Sequence, residues 1–454
     1  MKKLIVLLLC LTMLSSLTGC AEKAVKVYQG FGISNTARKG PGTDDTGTQV
    51  WSINQVFADV LFDADGKIVS VYVDQLEIAT PNYDGSGMPH FSGFPGQGGY
   101  NYDANHDGVV DSVTLGTEAS FTEEIAAWKT KRARGAEYVM TTGTWSTQMD
   151  RFQQLFVGKT VAEIEEWAAK YTSDLNGRPL KETMTKPEDI AKYATLTADD
   201  KTMLADVTTG ATMSLNDSHG NIIAALKTAY ENKVLREVKK TAFQGLGTVS
   251  MLRKGPGSDD TGTQVWSINQ VFANTLFDKD GKILSLHIDQ IEYATPNYDG
   301  SAMPHFSGFP GQVGYNDDDN HDGVVDGVQA NTEETFFAEI AAFATKRDRG
   351  AEYVMTTGTW ASQMDYYETL FVGKTVEEVQ TWFDTYTSDL NGRPLKDTMT
   401  KPEDIAKYAA LSADDKAILA DITTSATMSL KDSHGDILAA IKASFDNKFA
   451  VELK

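Results

Sequence analysis

Cysteine is nearly absent from this chain of 454 residues, which contains only Cys10 and Cys20. Both lie close to the N-terminus, so the remainder of the chain has no thiol and forms no disulfide. The sequence also lacks a Cys-x-x-Cys-His motif and any larger group of cysteines. A c-type haem and an iron–sulfur cluster with thiolate ligands are therefore excluded.

Positive charge is scarce as well. Lysine and arginine number 41 against 63 aspartates and glutamates, which gives a net charge of -22. Such a surface repels polyanions, so nucleic acid is not an expected partner. The local motifs of common hydrolases are missing too, because we find no G-x-S-x-G elbow and no H-E-x-x-H. The Gly-Lys-Thr at 158–160 lacks the glycine-rich loop of a nucleotide-binding site.

The N-terminal segment is the longest apolar stretch. Lys2 and Lys3 precede a short run of leucine, isoleucine and valine, and the segment ends in Leu17-Thr-Gly-Cys20, a pattern typical of a signal peptide. This ending resembles a bacterial lipobox. The resemblance implies that residues 1–19 are removed, that Cys20 is lipidated and that residues 20–27 tether the chain to the extracytoplasmic face of the cell membrane. The alternative is an ordinary signal peptide that happens to contain a cysteine.

The rest of the chain is a duplication. A segment beginning Arg38-Lys-Gly-Pro-Gly returns as Arg253-Lys-Gly-Pro-Gly, and the offset of 215 residues holds without a gap almost to the C-terminus. So long a period indicates tandem domains rather than a solenoid. The sequence predicts a first repeat over 28–234, a short linker over 235–242 and a second repeat over 243–454.

Each repeat begins with strand signals and continues with helix signals. Alternating residues on both sides of the turn at 63–66 predict a β-hairpin. Thr160 and Thr197, each followed three residues later by an acidic residue, predict helix starts, and Ser218 is expected to cap the last helix. The second repeat carries the same signals. This order predicts an α+β fold of two tandem repeats, each an antiparallel sheet with packed helices.

One short motif occurs once in each repeat. It reads Asp206-Val-Thr-Thr-Gly-Ala-Thr-Met-Ser214 and then Asp421-Ile-Thr-Thr-Ser-Ala-Thr-Met-Ser429. A phosphoester on a hydroxyl requires a turning segment with small neighbours, so that an enzyme can approach the backbone, and N–H groups that hold the phosphate. A Ser/Thr-rich loop between two helices is the alternative. The candidate cofactor-binding residues are Asp206, Thr209, Gly210, Ala211, Thr212 and Ser214, with Asp421, Thr424, Ser425, Ala426, Thr427 and Ser429.

The motif resembles the flavinylation signal of the FMN-binding domain family, which includes flavin-carrying subunits of the Rnf and sodium-translocating quinone reductase complexes. Two such repeats behind a lipobox also resemble the flavin lipoproteins of extracellular electron transfer in Gram-positive bacteria, and this likeness covers nearly all of the mature chain. It implies that an ApbE-like flavin transferase attaches FMN covalently to Thr212 and Thr427. Ser425 stands where the family more usually has glycine.

A second repeated segment is a candidate wall for the flavin ring. Tyr138-Val-Met-Thr-Thr-Gly-Thr-Trp145 matches Tyr353-Val-Met-Thr-Thr-Gly-Thr-Trp360. An isoalloxazine ring needs an apolar or aromatic wall and a few backbone donors, so we expect Trp145 and Trp360 to contribute to cofactor binding. The alternative is a core strand and turn.

Each repeat also carries an acidic loop. Its D-x-N-x-D-G pattern is that of the start of a calcium loop, although the glutamate at position twelve of an EF-hand is missing. The alternative is a turn closed by its own Asp and Asn side chains. The candidate metal ligands are Asp103, Asn105, Asp107 and Asp111, with Asp318, Asn320, Asp322 and Asp326.

Together these features predict an electron-transfer flavoprotein rather than an enzyme. The resemblance implies that two FMN groups take electrons from a membrane quinone or flavoprotein donor and pass them to extracellular acceptors such as ferric iron. One alternative is a calcium-stabilised, surface-anchored binding protein, either an adhesin or a solute receptor. Another is a flavin-dependent reductase of an organic acceptor.

Overall fold

The computed structural model describes residues 24–83, 87–113, 116–298, 303–318, 320–328 and 331–453. The predicted signal peptide and Cys20 lie outside these residues. The strands of the first half are β1 (Val25–Thr43), β2 (Gln49–Phe62), β3 (Ile68–Ala79), β4 (Asn101–Tyr102), β5 (Ser112–Val113), β6 (Val139–Met140), β7 (Gly143–Thr144), β8 (Asn216–Asp217), β9 (Gly220–Asn221) and β10 (Val234–Val238). Its helices are α1 (Glu118–Ala127), α2 (Lys131–Arg134), α3 (Trp145–Phe156), α4 (Val161–Tyr171), α5 (Pro187–Ala194), α6 (Ala198–Gly210) and α7 (Ile222–Glu231), with a 3₁₀ turn at Gly135–Glu137.

The second half repeats this order with small differences. Its strands are β11 (Thr241–Ser258), β12 (Gln264–Phe277), β13 (Ile283–Ala294), β14 (Asn316–Asp317), β15 (Gly327–Val328), β16 (Val354–Met355), β17 (Gly358–Thr359), β18 (Lys431–Asp432), β19 (Gly435–Asp436) and β20 (Phe449–Glu452). Its helices are α8 (Glu333–Ala341), α9 (Trp360–Phe371), α10 (Val376–Tyr386), α11 (Pro402–Ala410), α12 (Ala413–Ser425) and α13 (Ile437–Asp446), with a 3₁₀ turn at Gly350–Glu352.

Each half contains one four-stranded antiparallel sheet, which confirms the predicted α+β fold. The strand orders are β10-β1-β2-β3 and β13-β12-β11-β20. The predicted hairpin is the β2–β3 connection, in which the Asp63 carboxylate accepts hydrogen bonds from the backbone N–H groups of Asp65 and Lys67. The linker predicted over 235–242 is built from the end of β10 and the start of β11, so it belongs to both sheets.

The two sheets pack face to face, and helices cover their outer faces. Val56 and Val60 of β2 point to one side and join the core formed with helices α3, α4 and α7. Phe57 points to the other side, where its ring centre lies 4.8 Å from that of Phe272 in β12. Burial on both faces explains why every residue of β2 after Gln49 is buried. The molecule is therefore a four-layer arrangement of helices, sheet, sheet and helices.

Reciprocal contacts relate the two halves by an approximate two-fold axis. The Gln97 side chain donates to the carbonyl of Ser307 at 2.6 Å, and Gln312 donates to the carbonyl of Ser92 at 2.7 Å. The ring of Trp51 meets Phe336 edge-on, as Trp266 meets Phe121. Since matching residues make matching contacts, each half buries the same surface against the other, as in a symmetric dimer.

The predicted helix starts are mostly confirmed. Thr160 and Thr197 begin α4 and α6 with complete capping boxes. Ser218 does not cap the last helix, and this prediction is wrong because a short hairpin, β8–β9, intervenes and brings the Asn221 side chain to the backbone N–H of Ala224. Among the described residues, no helix combines the length and the apolar character needed to cross a bilayer.

Candidate functional site

The threonine motif lies where a helix ends. Helix α6 stops at Gly210, and the backbone of Ala211 is already extended, so Thr212 follows the helix at once. Ala211 is fully buried, whereas Thr212 is half-buried. The second copy has the same geometry, because α12 stops at Ser425 before an extended Ala426. The serine that replaces glycine there leaves the helix end unchanged.

A glutamine from helix α3 holds Thr212 in place. The buried Oε1 atom of Gln148 accepts a hydrogen bond from the backbone N–H of Thr212 at 2.9 Å, and the threonine hydroxyl lies 3.4 Å from the same oxygen. That hydroxyl also lies 3.0 Å from the hydroxyl of Thr142. In the second half, Gln363 and Thr357 make the matching contacts to Thr427 at 2.9 and 3.1 Å.

The predicted wall segment is a two-residue hairpin that opens helix α3. Strands β6 and β7 pair on either side of a turn containing Thr142, which is how this hydroxyl reaches Thr212. Gly143 has φ of 111°, a conformation that few other residues adopt. Thr144 then caps the helix through the backbone N–H of Thr147, and Trp145 begins it with only 2% of its surface exposed.

Both motif copies line a cavity together with this hairpin. The first cavity has a volume of about 300 Å³ and the second about 350 Å³, the lower end of the range for small-molecule sites. The first is lined by Gln75, Lys131, Tyr138, Met140, Thr141, Trp145, Arg178, Thr212, Met213, Ser214 and His219. The second is lined by the counterparts Gln290, Lys346, Tyr353, Met355, Thr356, Trp360, Arg393, Thr427, Met428, Ser429 and His434, with Arg253, Pro256, Tyr298 and Met303 in addition.

The cavities are basic although the chain is strongly acidic. Lys131 and Arg178 line the first cavity, and no carboxylate does so among the described residues. Lys131 is held by the buried carboxylate of Glu77, at 2.8 Å, and Arg38 binds the same carboxylate at 2.8 Å. Burial alone would raise the pKa of Glu77, but these two cations outweigh it and lower the pKa to about 2. Such a surface favours an anionic ligand.

A polar cluster borders each cavity, since Ser214 and His219 line the first and Ser429 and His434 line the second. Asp217 accepts hydrogen bonds from the Ser214 hydroxyl at 2.9 Å and from the backbone N–H of His219 at 2.8 Å, and its carboxylate lies 2.8 Å from His219 Nδ1. Burial opposes ionisation of Asp217, yet the hydrogen bonds and the charge of His219 prevail and hold its pKa below the usual value. The cluster fixes the backbone just after Thr212.

Other residues of the motif lie away from the cavity. Asp206 sits on the exposed side of α6 and forms an ion pair with Arg151, while Asp421 accepts a hydrogen bond from the hydroxyl of Tyr366 at 3.2 Å. The hydroxyl of Thr209 donates to the carbonyl of Asp206, one turn back in the helix. The structure therefore brings Thr212, Ser214 and Trp145, with their counterparts Thr427, Ser429 and Trp360, to the cavities, but not Asp206, Thr209, Gly210, Ala211, Asp421, Thr424, Ser425 and Ala426.

Sequence reasoning missed several residues of the site. Gln148, Lys131 and Arg178 come from three separate segments, and only folding brings them close to Thr212. Each recurs 215 positions later, but so does most of the chain. The duplication alone therefore could not distinguish these residues from the rest of each repeat.

The two acidic loops are closed by their own side chains. The Asp103 carboxylate accepts hydrogen bonds from the backbone N–H groups of Asp107 at 3.2 Å and Gly108 at 2.8 Å, and Asn105 and Asp111 accept from neighbouring N–H groups. Asp318, Asn320 and Asp322 make the corresponding contacts in the second loop. Within the described residues, no three acidic, histidine or cysteine side chains are grouped to hold a metal ion, and calcium binding at Asp107, Asp326 and the other candidates stays a prediction.

A comparison with known proteins gives one informative relative. The chain is 38% identical over 231 residues to a chlorophenol reductase of Desulfitobacterium hafniense, and this match covers 48% of the chain and 61% of that protein. The matched length is close to one repeat of 215 residues. No family model matches the chain, and no solved structure does.

This relative corrects one prediction from the sequence. We expected an electron carrier that is not an enzyme, but the relative carries the name of a reductase, which is an enzyme. The expectation of a non-enzymatic protein is therefore wrong. The general expectation of a redox-related role agrees with the relative's name.

Proposed function

We propose that this chain is a flavin-dependent reductase with FMN attached to Thr212 and Thr427. The observation that carries this proposal is the location of the two predicted acceptor hydroxyls. Each lies on the wall of a cavity that also contains a buried tryptophan and basic side chains. The name of the relative supports a redox role independently of the motif.

The residues around each cavity fit such a group. Attached FMN supplies the exchange of one or two electrons. Lys131 and Arg178 would bind its phosphate or another anionic part, because they are the lysine and the arginine that line the same cavity as Thr212. Trp145 and Met140 provide apolar surface for a flat ring, and Gln148 keeps the acceptor hydroxyl facing the hairpin.

Residues near Thr427 add a further argument from hydrogen bonding. The Nε1 atom of Trp360 and the Nε2 atom of Gln363 are buried donors without a hydrogen-bond partner in the part of the chain described here. A buried unsatisfied donor costs about 1–3 kcal/mol. A flavin or phosphate oxygen that reached them would remove this cost, which makes the second cavity at least as suitable as the first.

The cellular setting forms part of the same proposal. Lipidation of Cys20 would hold the chain on the outer face of the cell membrane, where a quinone or a membrane flavoprotein supplies electrons. Covalent attachment suits this location, because a dissociating cofactor would be lost by dilution. The acceptors would include ferric iron and, by the name of the relative, chlorinated phenols.

The test is a gel of denatured protein made together with a flavin transferase. Boiled in detergent and separated, the wild-type band should fluoresce under blue light. Thr212→Ala and Thr427→Ala should each lose about half of that fluorescence, and the double variant should lose all of it. A dark wild-type band would refute flavin attachment and favour a surface binding protein, and a fluorescent double variant would refute the assignment of the threonines.

A further inference from the structure

A third cavity lies between the two halves, away from both threonine sites. It occupies about 370 Å³ where the edge strand β10 of the first half meets strand β13 and helix α9 of the second. Val234, Leu284 and Leu286 contribute apolar surface to its wall. Arg236, His287 and Arg347 contribute nitrogen donors. Three carboxylates also line the wall, and each forms an ion pair, Glu237 with Lys26 and both Asp365 and Glu368 with Arg347.

The matching position on the other side of the two-fold axis is filled by two aromatic rings. The offset of 215 residues relates His287 to Tyr72 and Val234 to Phe449. The rings of Tyr72 and Phe449 are stacked, with centres 5.8 Å apart and planes inclined by 25°. In the cavity, His287 and Val234 take the places of Tyr72 and Phe449. These two side chains leave a space that a planar ring of a bound molecule could fill.

The two arginines of this cavity differ in how they are satisfied. Arg347 is saturated, because its guanidinium binds Glu368 at 2.7 Å, Asp365 at 2.8 Å and the carbonyl of Ile288 at 2.7 Å. Arg236 forms no ion pair within the described residues, and its buried Nε atom lacks a hydrogen-bond partner there. The carboxylates of Glu368 and Asp365 attract Arg236 without forming an ion pair with it. A buried guanidinium Nε atom without an acceptor is unfavourable, and a carboxylate or phenolate oxygen is a suitable partner for it.

We propose that this cavity binds a small aromatic anion, whose ring occupies the space that Phe449 fills in the other half and whose charged oxygen binds Arg236. An aromatic carboxylate and an acidic phenol share this chemistry. One molecule binds per chain, because Tyr72 and Phe449 close the symmetric position. The binding does not require flavin.

The position of Arg347 connects this site to the second threonine cavity. Its guanidinium carbon lies 5.8 Å from the ring centre of Trp360, and Trp360 lines the cavity that contains Thr427. A bound anion is therefore separated from that cavity by one arginine and one indole ring.

Calorimetric titration of the full chain with benzoate and with 2,4-dinitrophenolate tests this site, with benzyl alcohol as the uncharged probe. We expect one saturable site for at least one of the anions and weak or no binding of the alcohol. Arg236→Gln should weaken anion binding about tenfold, as expected for the loss of one charge-assisted hydrogen bond. Lys227→Gln, which removes an exposed cation from helix α7, should bind like the wild type.

A second variant tests the shape of the cavity. Val234→Phe combined with His287→Tyr rebuilds the stacked pair of the other half and should abolish binding while the far-ultraviolet circular dichroism spectrum stays unchanged. The proposal is overturned if neither anion binds saturably or if the alcohol binds as tightly as benzoate. It is also overturned if the double variant folds and still binds an anion. Because the titration uses protein without flavin, a failure here is distinct from a failure of flavin attachment.

Discussion

Gln148 is the residue that links the acceptor threonine to the rest of the site. It lies in helix α3, is fully buried and accepts the backbone N–H of Thr212 at 2.9 Å. Gln363 does the same for Thr427. The sequence gives no sign of this role, because an isolated glutamine in an amphipathic helix is an ordinary residue, whereas here it fixes a segment 64 positions away.

Replacing this glutamine should loosen the acceptor segment. We predict that Gln148→Leu lowers the free energy of unfolding by about 1–3 kcal/mol, because it leaves the N–H of Thr212 unsatisfied. Urea denaturation measures this loss, and flavin fluorescence at Thr212 should fall in parallel. Gln154→Leu, at an exposed position of the same helix, is the control. Equal stability of the two variants would contradict the assigned role.

Glu77 is the second residue with a specific consequence. It is buried between Lys131 and Arg38, and the pKa of its carboxyl is lowered from 4.5 to about 2, with burial opposing and the two cations causing the shift. A depressed pKa means that the contribution to stability is complete above pH 4.5 and disappears as the pH falls toward 2.

This shift predicts how a charge-removing variant responds to pH. Glu77→Gln should cost about 3–5 kcal/mol near neutral pH, because Lys131 remains charged and buried without its partner. The difference from the wild type should shrink as the pH falls from about 4.5 toward 2, because Glu77 of the unfolded wild-type chain takes up a proton in this range while the native carboxylate stays charged. Urea denaturation across this pH range measures it, with the exposed Glu123→Gln as control. A difference independent of pH would contradict the ion-pair account.

At the scale of elements, the close approach of helix α7 to strand β1 depends on glycine. A Cβ atom added at Gly30 would lie 2.0 Å from the carbonyl oxygen of Ala229, and one at Gly32 would lie 2.1 Å from that of Ala225. Gly245 and Gly247 make the same contacts with α13. These glycines let a helix lie directly on the middle of a strand.

A methyl group at this contact should therefore separate the two elements. We predict that Gly30→Ala destabilises the protein by at least about 1–3 kcal/mol, the usual cost of overpacking. Gly327→Ala is the control, because a Cβ there meets nothing within 4 Å. Thermal unfolding of both variants measures the difference. Similar melting temperatures would show that the helix adjusts without cost.

Local sequence signals predicted the hairpin and most helix starts well. The features that they did not predict depend on contacts between residues far apart in the sequence. Asp63 and Thr160 act on neighbouring backbone groups, so their roles are visible in the sequence. The prediction that Ser218 caps the last helix was wrong, because the β8–β9 hairpin moves the cap position to Asn221. Arg178 reaches the cavity only through tertiary packing, which no local pattern records.

At the scale of the whole molecule, the two repeats share a core. Phe31, Phe57 and Leu246 belong to one apolar cluster with Phe272 and residues from both halves. The sequence predicted two similar repeats but not that their sheets pack face to face. The sequence of β2 did indicate this packing, because its apolar residues occupy both faces, as expected for a strand that is buried on both sides.

The shared core predicts cooperative unfolding. Neither sheet can expose its inner face to water without losing a large apolar contact, so both halves should melt together. We expect a single calorimetric transition, with calorimetric and van't Hoff enthalpies in agreement. Two separate transitions would mean that the halves are independent domains.

The central claim is the covalent bond at the two threonines, and peptide mass spectrometry tests it most directly. In protein made with its flavin transferase, the peptides that contain Thr212 and Thr427 should each gain the mass of one FMN less one water, and fragmentation should assign the added mass to these hydroxyls. Unmodified masses for both peptides, from protein produced with an active transferase, would contradict the account.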